Sequence, residues 1–125
     1  MANATAEVNT AEIIGRTVEL VAGEGIYAGT LVAVKPADGR AYPASDTATL
    51  VVLGRAENTA KAGESVLVAA GTFLWENSAS SPLTYPGQAA YVADDHTVRA
   101  AAGTNSVKAG VCRGIIDGKA AVATL

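Results

Sequence analysis

The sequence predicts an all-β domain, either a small β-barrel or a two-sheet sandwich, with a weak internal duplication and an N-terminal arm or short helix. Three observations predict it. The apolar runs are short, most of about five to eight residues, rich in Val, Leu, Ile and Thr, and Gly, Asn, Asp or Pro interrupts them at roughly 8–12-residue intervals. Two Asp-Gly pairs, Asp38-Gly39 and Asp117-Gly118, stand between such runs and accept the positive φ angles of tight hairpin turns. The runs also recur in the same order along the chain.

Residues 1–17 come first. Thr5 to Ile14 reads equally as a short helix closed by Gly15 or as an extended arm, because a terminus is often loose until it docks. The strands follow: "TVELVAG", "GTLVAVK", "ATLVVLGRA", "ESVLVAAGTFLW", "QAAYVAD", "AGVCRGII" and "KAAVATL". Alanine is abundant and favours helices. Yet no apolar stripe at i, i+3, i+4, i+7 persists for three turns, and glycine interrupts nearly every window. "VELVAG" (Val18–Gly23) is similar to "VLVAAG" (Val66–Gly71), "AGTLVAVKPADGRAYPA" (Ala28–Ala44) to "GQAAYVADDHTVRAAA" (Gly87–Ala102), and the stretch Thr49–Val68 to Lys108–Leu125. Residues 18–125 therefore read as a single β domain, with possible halves 18–65 and 66–125 and an insertion around "WENSASSPLTYP" in the second.

Composition narrows the function. A chain of 125 residues suits one domain and buries roughly two-thirds of the surface its unfolded form exposes. Apolar residues make up 50% and aromatics only 5%, so the core must be built from small aliphatic side chains. The 9 basic and 12 acidic residues give a net charge of −3. The basic residues are scattered, with no basic run or aromatic–basic platform for nucleic acid. No apolar run approaches the roughly 20 residues of a membrane span. "MANATAEVNTAEII" has neither the basic nor the apolar region of a secretory signal, so folding in a cytoplasm is expected. The single Cys112 cannot form an internal disulfide, and its apolar setting reads as a small buried hydrophobe.

One stretch has the residue types of a site. "VADDHTV" sets Asp94 and Asp95 beside His96, the only histidine. It occupies the place that the plain turn "ADGR" holds in the first half, so it reads as a polar hairpin turn. A metal site needs three or four converging ligands, and a catalytic dyad needs a nucleophile and an oriented base. "GEGIYAG" lacks the G-x-G-x-x-G spacing and leads into a strand, and "AGTNSVKAG" lacks the Lys-Ser/Thr ending of a phosphate loop. No enzyme, metal or cofactor is expected.

The aromatic residues are more informative. "GTFLWENSASSPLTYPG" holds the only Phe (Phe73), the only Trp (Trp75) and one of four Tyr (Tyr85). Phe73 and Trp75 share strand parity and point to one face. They either close one end of the core or, with Tyr85, anchor a protein interface; a sugar-binding platform is a third reading.

From Gly25 to Leu125 the chain resembles bacteriophage capsid cement (decoration) proteins. The likeness lies in the strand pair "GTLVAVKPADGRAYPA", the Gly-Arg turn, "AGESVLV", "GTF", "GQAAYVADDHTV" and the closing "AGVCRGIIDGKAAVATL". The resemblance implies a structural virion protein, made in the host cytoplasm, that binds the outer face of the assembled capsid and stabilises it. It implies the major capsid protein as partner, a homotrimer as the assembly, and no nucleic acid or membrane contact. The N-terminal arm, with Glu7 and Val8, joins Phe73, Trp75 and Tyr85 as candidate interface. The alternative is a β-sandwich carbohydrate- or receptor-binding module of a phage fibre or cell surface, with the aromatics around Trp75 as its platform.

Overall fold

Strict in–out alternation fails at Ala120–Val122 near the C-terminus and most completely nearer the start. Leu31, Val32 and Ala33 are consecutive and all fully buried, so the strand that carries them must be covered on both faces. The computed structural model, which describes residues 17–124, shows how. Its ten strands are β1 (Thr17–Val21), β2 (Leu31–Lys35), β3 (Arg40–Pro43), β4 (Val51–Ala56), β5 (Ser65–Ala69), β6 (Thr72–Asn77), β7 (Ala89–Val92), β8 (Thr97–Arg99), β9 (Lys108–Ile116) and β10 (Lys119–Ala123). Among the described residues there is no helix. The expected helix or arm at Thr5–Ile14, with Glu7 and Val8, lies outside them.

The first five strands form one sheet in the order β1-β5-β4-β2-β3, and the last five close into a barrel in the order β10-β6-β8-β7-β9. The two orders are the same pattern. In each unit the first strand runs antiparallel to the fifth, the fifth pairs with the fourth, the fourth with the second and the second with the third. The third then returns parallel to the first, fully in the barrel through Glu76↔Thr97 and Asn77↔Val98, and by the single bridge Ala22↔Ala41 in the first unit.

Registers agree to the residue. Thr17 pairs with Ala69 in one unit and Thr72 with Ala123 in the other. Each unit has a bulge at the same place, with Val32 opposite Gly54 and Ala90 opposite Gly110. Both glycines are required sterically: a Cβ on Gly54 would lie 2.0 Å from Ala69 O, and one on Gly110 would lie 2.0 Å from Ala123 O. The duplication seen in the sequence is thus present in the strand pairing, with one change of boundary. Val66 lies inside β5, which pairs with β1 and β4, so the two units part at Ala70–Gly71. The counterpart of "TVELV" is "TFLWEN", not "VLVAAG", because strand pairing follows register and not the local likeness of two valine-rich runs.

Each unit has its own interior. Val32, Ala41, Ala56, Val66 and Val68 fill the first, closed by Ile26 and Ala60. Ala90, Val98, Cys112, Ala120 and Val122 fill the barrel, closed by Trp75 and Leu83. The opposite face of the first sheet, Leu31, Ala33, Leu50 and Val52, packs against the barrel and merges into its core. Cys112 is fully buried at the position Ala56 holds in the first unit.

The bulge glycines supply a direct check. Gly54→Ala and Gly110→Ala should each lower stability by roughly 1–3 kcal/mol or more, as overpacking against fixed backbone does, with similar losses at the two sites. Urea unfolding of the two variants beside wild type measures it; a loss at one site alone would mean that the two bulges are not equivalent.

Candidate functional site

The two clefts and the most elaborate polar cluster lie where the two units meet. The loop from Ala44 to Leu50 crosses this seam and is fastened by Asp46. Its carboxylate accepts hydrogen bonds from Thr104 N at 3.0 Å, Asn105 N at 3.0 Å and Arg99 Nη2 at 3.1 Å, while Asn105 Nδ2 donates to Asp46 O at 2.8 Å. Thr49 and Ser106, both at positive φ (71° and 51°), follow on the two sides of this clamp. A cleft of about 420 Å³ lies between them, lined by Thr49–Val52 and Asn105–Lys108. Those two segments lead into the equivalent strands β4 and β9, so corresponding pieces of the two repeats face each other across the seam.

On the other side of the same loop is a second cleft of about 360 Å³. Pro43, Ala44 and Leu50 form its apolar part, and Glu24, Lys35, Tyr42, Asp94 and Asp95 form its polar rim. Lys35 Nζ lies over the Tyr42 ring, 4.7 Å from its centre. The Tyr42 hydroxyl donates to Asp38 Oδ2, which holds the Asp38 carboxyl below its usual range and raises the phenol.

Asp94, Asp95 and His96 form the turn between β7 and β8, as the sequence implied. Asp94 Oδ1 accepts the His96 backbone N–H at 3.0 Å, just as Asp38 accepts that of Arg40 at 2.9 Å in the equivalent turn; a short acidic side chain closes both. The turn is pinned from both sides, because Leu31 N donates to Asp95 O at 2.7 Å and Glu76 N donates to His96 O at 3.0 Å. His96 Nδ1 lies 2.9 Å from Asp95 Oδ1 and 3.1 Å from Asp94 Oδ1. One ligand atom from each of the three side chains falls within 4.8 Å of the others, so the three could converge on a cation, but here they already bond one another. The Asp95 hydrogen bond, with the Asp94 charge behind it, raises the imidazole pKa above 6.5 against the opposing effect of burial.

The aromatic residues do not lie together on the surface. Trp75 is only 4% exposed and belongs to the core, with its Nε1 buried and without a hydrogen-bond partner among the described residues. It meets Phe73 edge-on at 6.3 Å between ring centres. Phe73 is half-buried, covered by the Arg55 guanidinium of the first unit at 4.0 Å. This corrects the reading of Trp75 as an interface anchor: both residues point inward from β6, and the barrel closes over them. Tyr85 does stand out, 56% exposed. Sequence reading missed its counterpart, Tyr27, which is 73% exposed. Each tyrosine opens the same turn, with Thr30 N and Gln88 N donating to Tyr27 O and Tyr85 O at 3.3 Å, and Gly29 and Gly87 at φ 88° and 96° as a type II turn requires. The signal was present in "IYAGT" and "TYPGQ", just outside the repeats as first aligned.

No protein-family model, curated protein or solved structure matches the chain.

Two outcomes follow from this geometry. Asp46→Ala should cost about 1.5–3 kcal/mol, the range for hydrogen bonds to a charged group, read by urea unfolding; an unchanged midpoint would show that the clamp does not fasten the seam. The His96 pair stabilises the fold fully below the imidazole's ordinary pKa, and this contribution is lost as pH rises through the raised folded-state value. Wild type should therefore exceed His96→Ala in stability at about pH 5.5 and match it at about pH 8.5, with the difference small because the side chain is 61% exposed. An NMR titration of the one imidazole should place its pKa above 6.5.

Proposed function

We propose that the protein is a non-enzymatic virion subunit that binds the outer face of a phage capsid and reinforces the shell. The observation that carries this reading is the set of large apolar and tyrosine side chains left at the surface. The interiors are built mainly of Ala and Val, while Tyr27, Tyr85, Leu74, Ile115 and Ile116 stand at the surface. Leu74 and Ile116 lie on the outer face of the neighbouring strands β6, β10 and β9, by the registers Leu74↔Ala121 and Ile116↔Lys119. Apolar groups that adjoin on one exposed face, as Leu74 and Ile116 do, suit a surface that a partner covers, and tyrosine is prominent among residues that dominate binding energy. The resemblance of residues 25–125 to capsid cement proteins supplies the partner class.

The seam supports the same reading mechanically. A reinforcing subunit must not yield under load, and here two units are joined by a shared core, a carboxylate clamp and a pinned hairpin. A standard interface buries about 1,600 Å², a large demand on one small domain. Association as a homotrimer, each copy contacting an equivalent capsid site, raises effective concentration and can tighten attachment by 10²–10⁴. The carbohydrate-binding reading depended on an exposed Trp75 platform, which the burial of Trp75 does not favour.

Counting copies bound to purified expanded shells tests the proposal. Wild type should saturate the shell and raise its melting temperature. Tyr27→Ala with Tyr85→Ala should reduce occupancy at least tenfold while leaving the unfolding free energy within about 0.5 kcal/mol of wild type, as surface changes usually do. No binding of wild type to shells would overturn the function, and full occupancy by the double variant would remove the tyrosine turns as anchors.

A further inference from the structure

The rim of the 360 Å³ cleft is unbalanced. Three carboxylates, Glu24, Asp94 and Asp95, face one ammonium, Lys35, and Lys35 is placed over the Tyr42 ring. Among the described residues Glu24 enters no salt bridge. Asp94 and Asp95 have only the His96 imidazole, which neutralises them only when it is protonated. The rest of the lining is Pro43, Ala44, Ser45, Thr47 and Leu50, hydrocarbon but for two hydroxyls.

A carboxylate rim over an apolar floor matches one kind of side chain. The occupant needs a permanent positive charge at its tip and a methylene stem able to lie along hydrocarbon, which is the build of arginine and, less well, lysine. Two carboxylates held side by side on a fixed turn suit the planar guanidinium, which can give each a charge-assisted hydrogen bond. The turn is rigid before any partner arrives, since its backbone is already bonded to Leu31 and Glu76, so little ordering is required on binding. A free metal ion uses none of the apolar floor, whereas a side chain reaching down from a protein surface uses both parts.

We propose that this cleft is a docking socket for an arginine side chain presented by a protein partner, with Asp94, Asp95 and Glu24 holding the guanidinium and Leu50 and Pro43 receiving the stem. The socket does not depend on the partner being a capsid, so its test needs no shell. It also carries a built-in competition. Protonated His96 sits against the two aspartates that the guanidinium would use, with Glu76 and, beyond it, Lys119 as the nearest charges from the adjoining strands. The socket is therefore occupied from within at acid pH and opens to the arginine as His96 loses its proton.

The experiment is an NMR titration of the full-length protein with a blocked Gly-Arg-Gly peptide, beside the same peptide carrying citrulline, which keeps the shape and loses the charge. The arginine peptide should shift the amide signals of Lys35, Tyr42 and Asp94–His96 with millimolar affinity, at least tenfold tighter than the citrulline peptide and tighter than the lysine peptide. Affinity should rise several-fold as pH is raised through the His96 pKa, and His96→Ala should bind equally well at both ends of that range. Glu24→Gln, a side chain with no partner to lose among the described residues, should weaken binding without altering the fold. Equal binding of arginine and citrulline peptides, shifts confined to another surface, or tighter binding of spermidine than of the arginine peptide would each overturn the assignment. So would a wild-type affinity that does not change with pH.

Discussion

The burial of β2 on both faces is the constraint on which the rest of the molecule depends. Val32 belongs to the interior of the first unit, while Leu31 and Ala33 on either side of it belong to the core shared with the barrel. A strand in that position cannot shift by one residue, because the shift would exchange the two sets of side chains between two differently shaped cores. Its N-terminal amide is also committed, since Leu31 N–H reaches across the seam to Asp95 O. Register in the first unit and placement of the β7–β8 turn in the second are therefore one structural decision. The rim of the acidic cleft follows from it, because Asp94 and Asp95 stand where this strand holds them.

The two units have the same strand plan and have diverged in how they fill it. Leu20 and Trp75 occupy corresponding places, each one step inward on the first strand, but Trp75 closes a fully paired barrel whereas Leu20 remains half-buried in a sheet that closes by a single bridge. The turn after the second strand is Asp-Gly in one unit and Asp-Asp-His in the other. In both, an aspartate accepts the amide two residues on, so the turn's geometry is kept while its surface chemistry differs. The shared strand plan supplies the scaffold, and one departure from symmetry is the β7–β8 turn, where Asp94, Asp95 and His96 stand in the place of Asp38 and Gly39.

The interior contains no polar or charged residue among those described. The charged groups are accordingly found at the surface and the seam, where water can share the cost of their charges. Asp46, with only 20% of its side chain exposed, is fully used: two backbone amides and a guanidinium surround its carboxylate. That clamp ties a loop with no regular structure to the second unit, and Leu50 at the end of the loop lines both clefts.

Much of this was determined by the sequence alone. Short β-branched runs separated by turn residues can satisfy their backbone only by pairing with one another, so an all-β fold with an internal repeat was legible, as was the β7–β8 hairpin. At Asp117-Gly118 the Asp-Gly pair specifies its turn locally, with both residues at positive φ. The interface residues were not legible in the same way. Phe73 and Trp75 announce their shared face by parity, but parity does not say whether that face meets solvent or a closing barrel. Tyr27 and Tyr85 have ordinary local surroundings, and their equivalence rests on two turns 58 residues apart. The pairing of Asp46 with Arg99, and of the cleft's carboxylates with its apolar floor, joins residues that no local pattern connects. Tertiary structure decided these because burial and electrostatic contact depend on distance in space, and a repeat of short strands leaves that distance open until the two sheets dock.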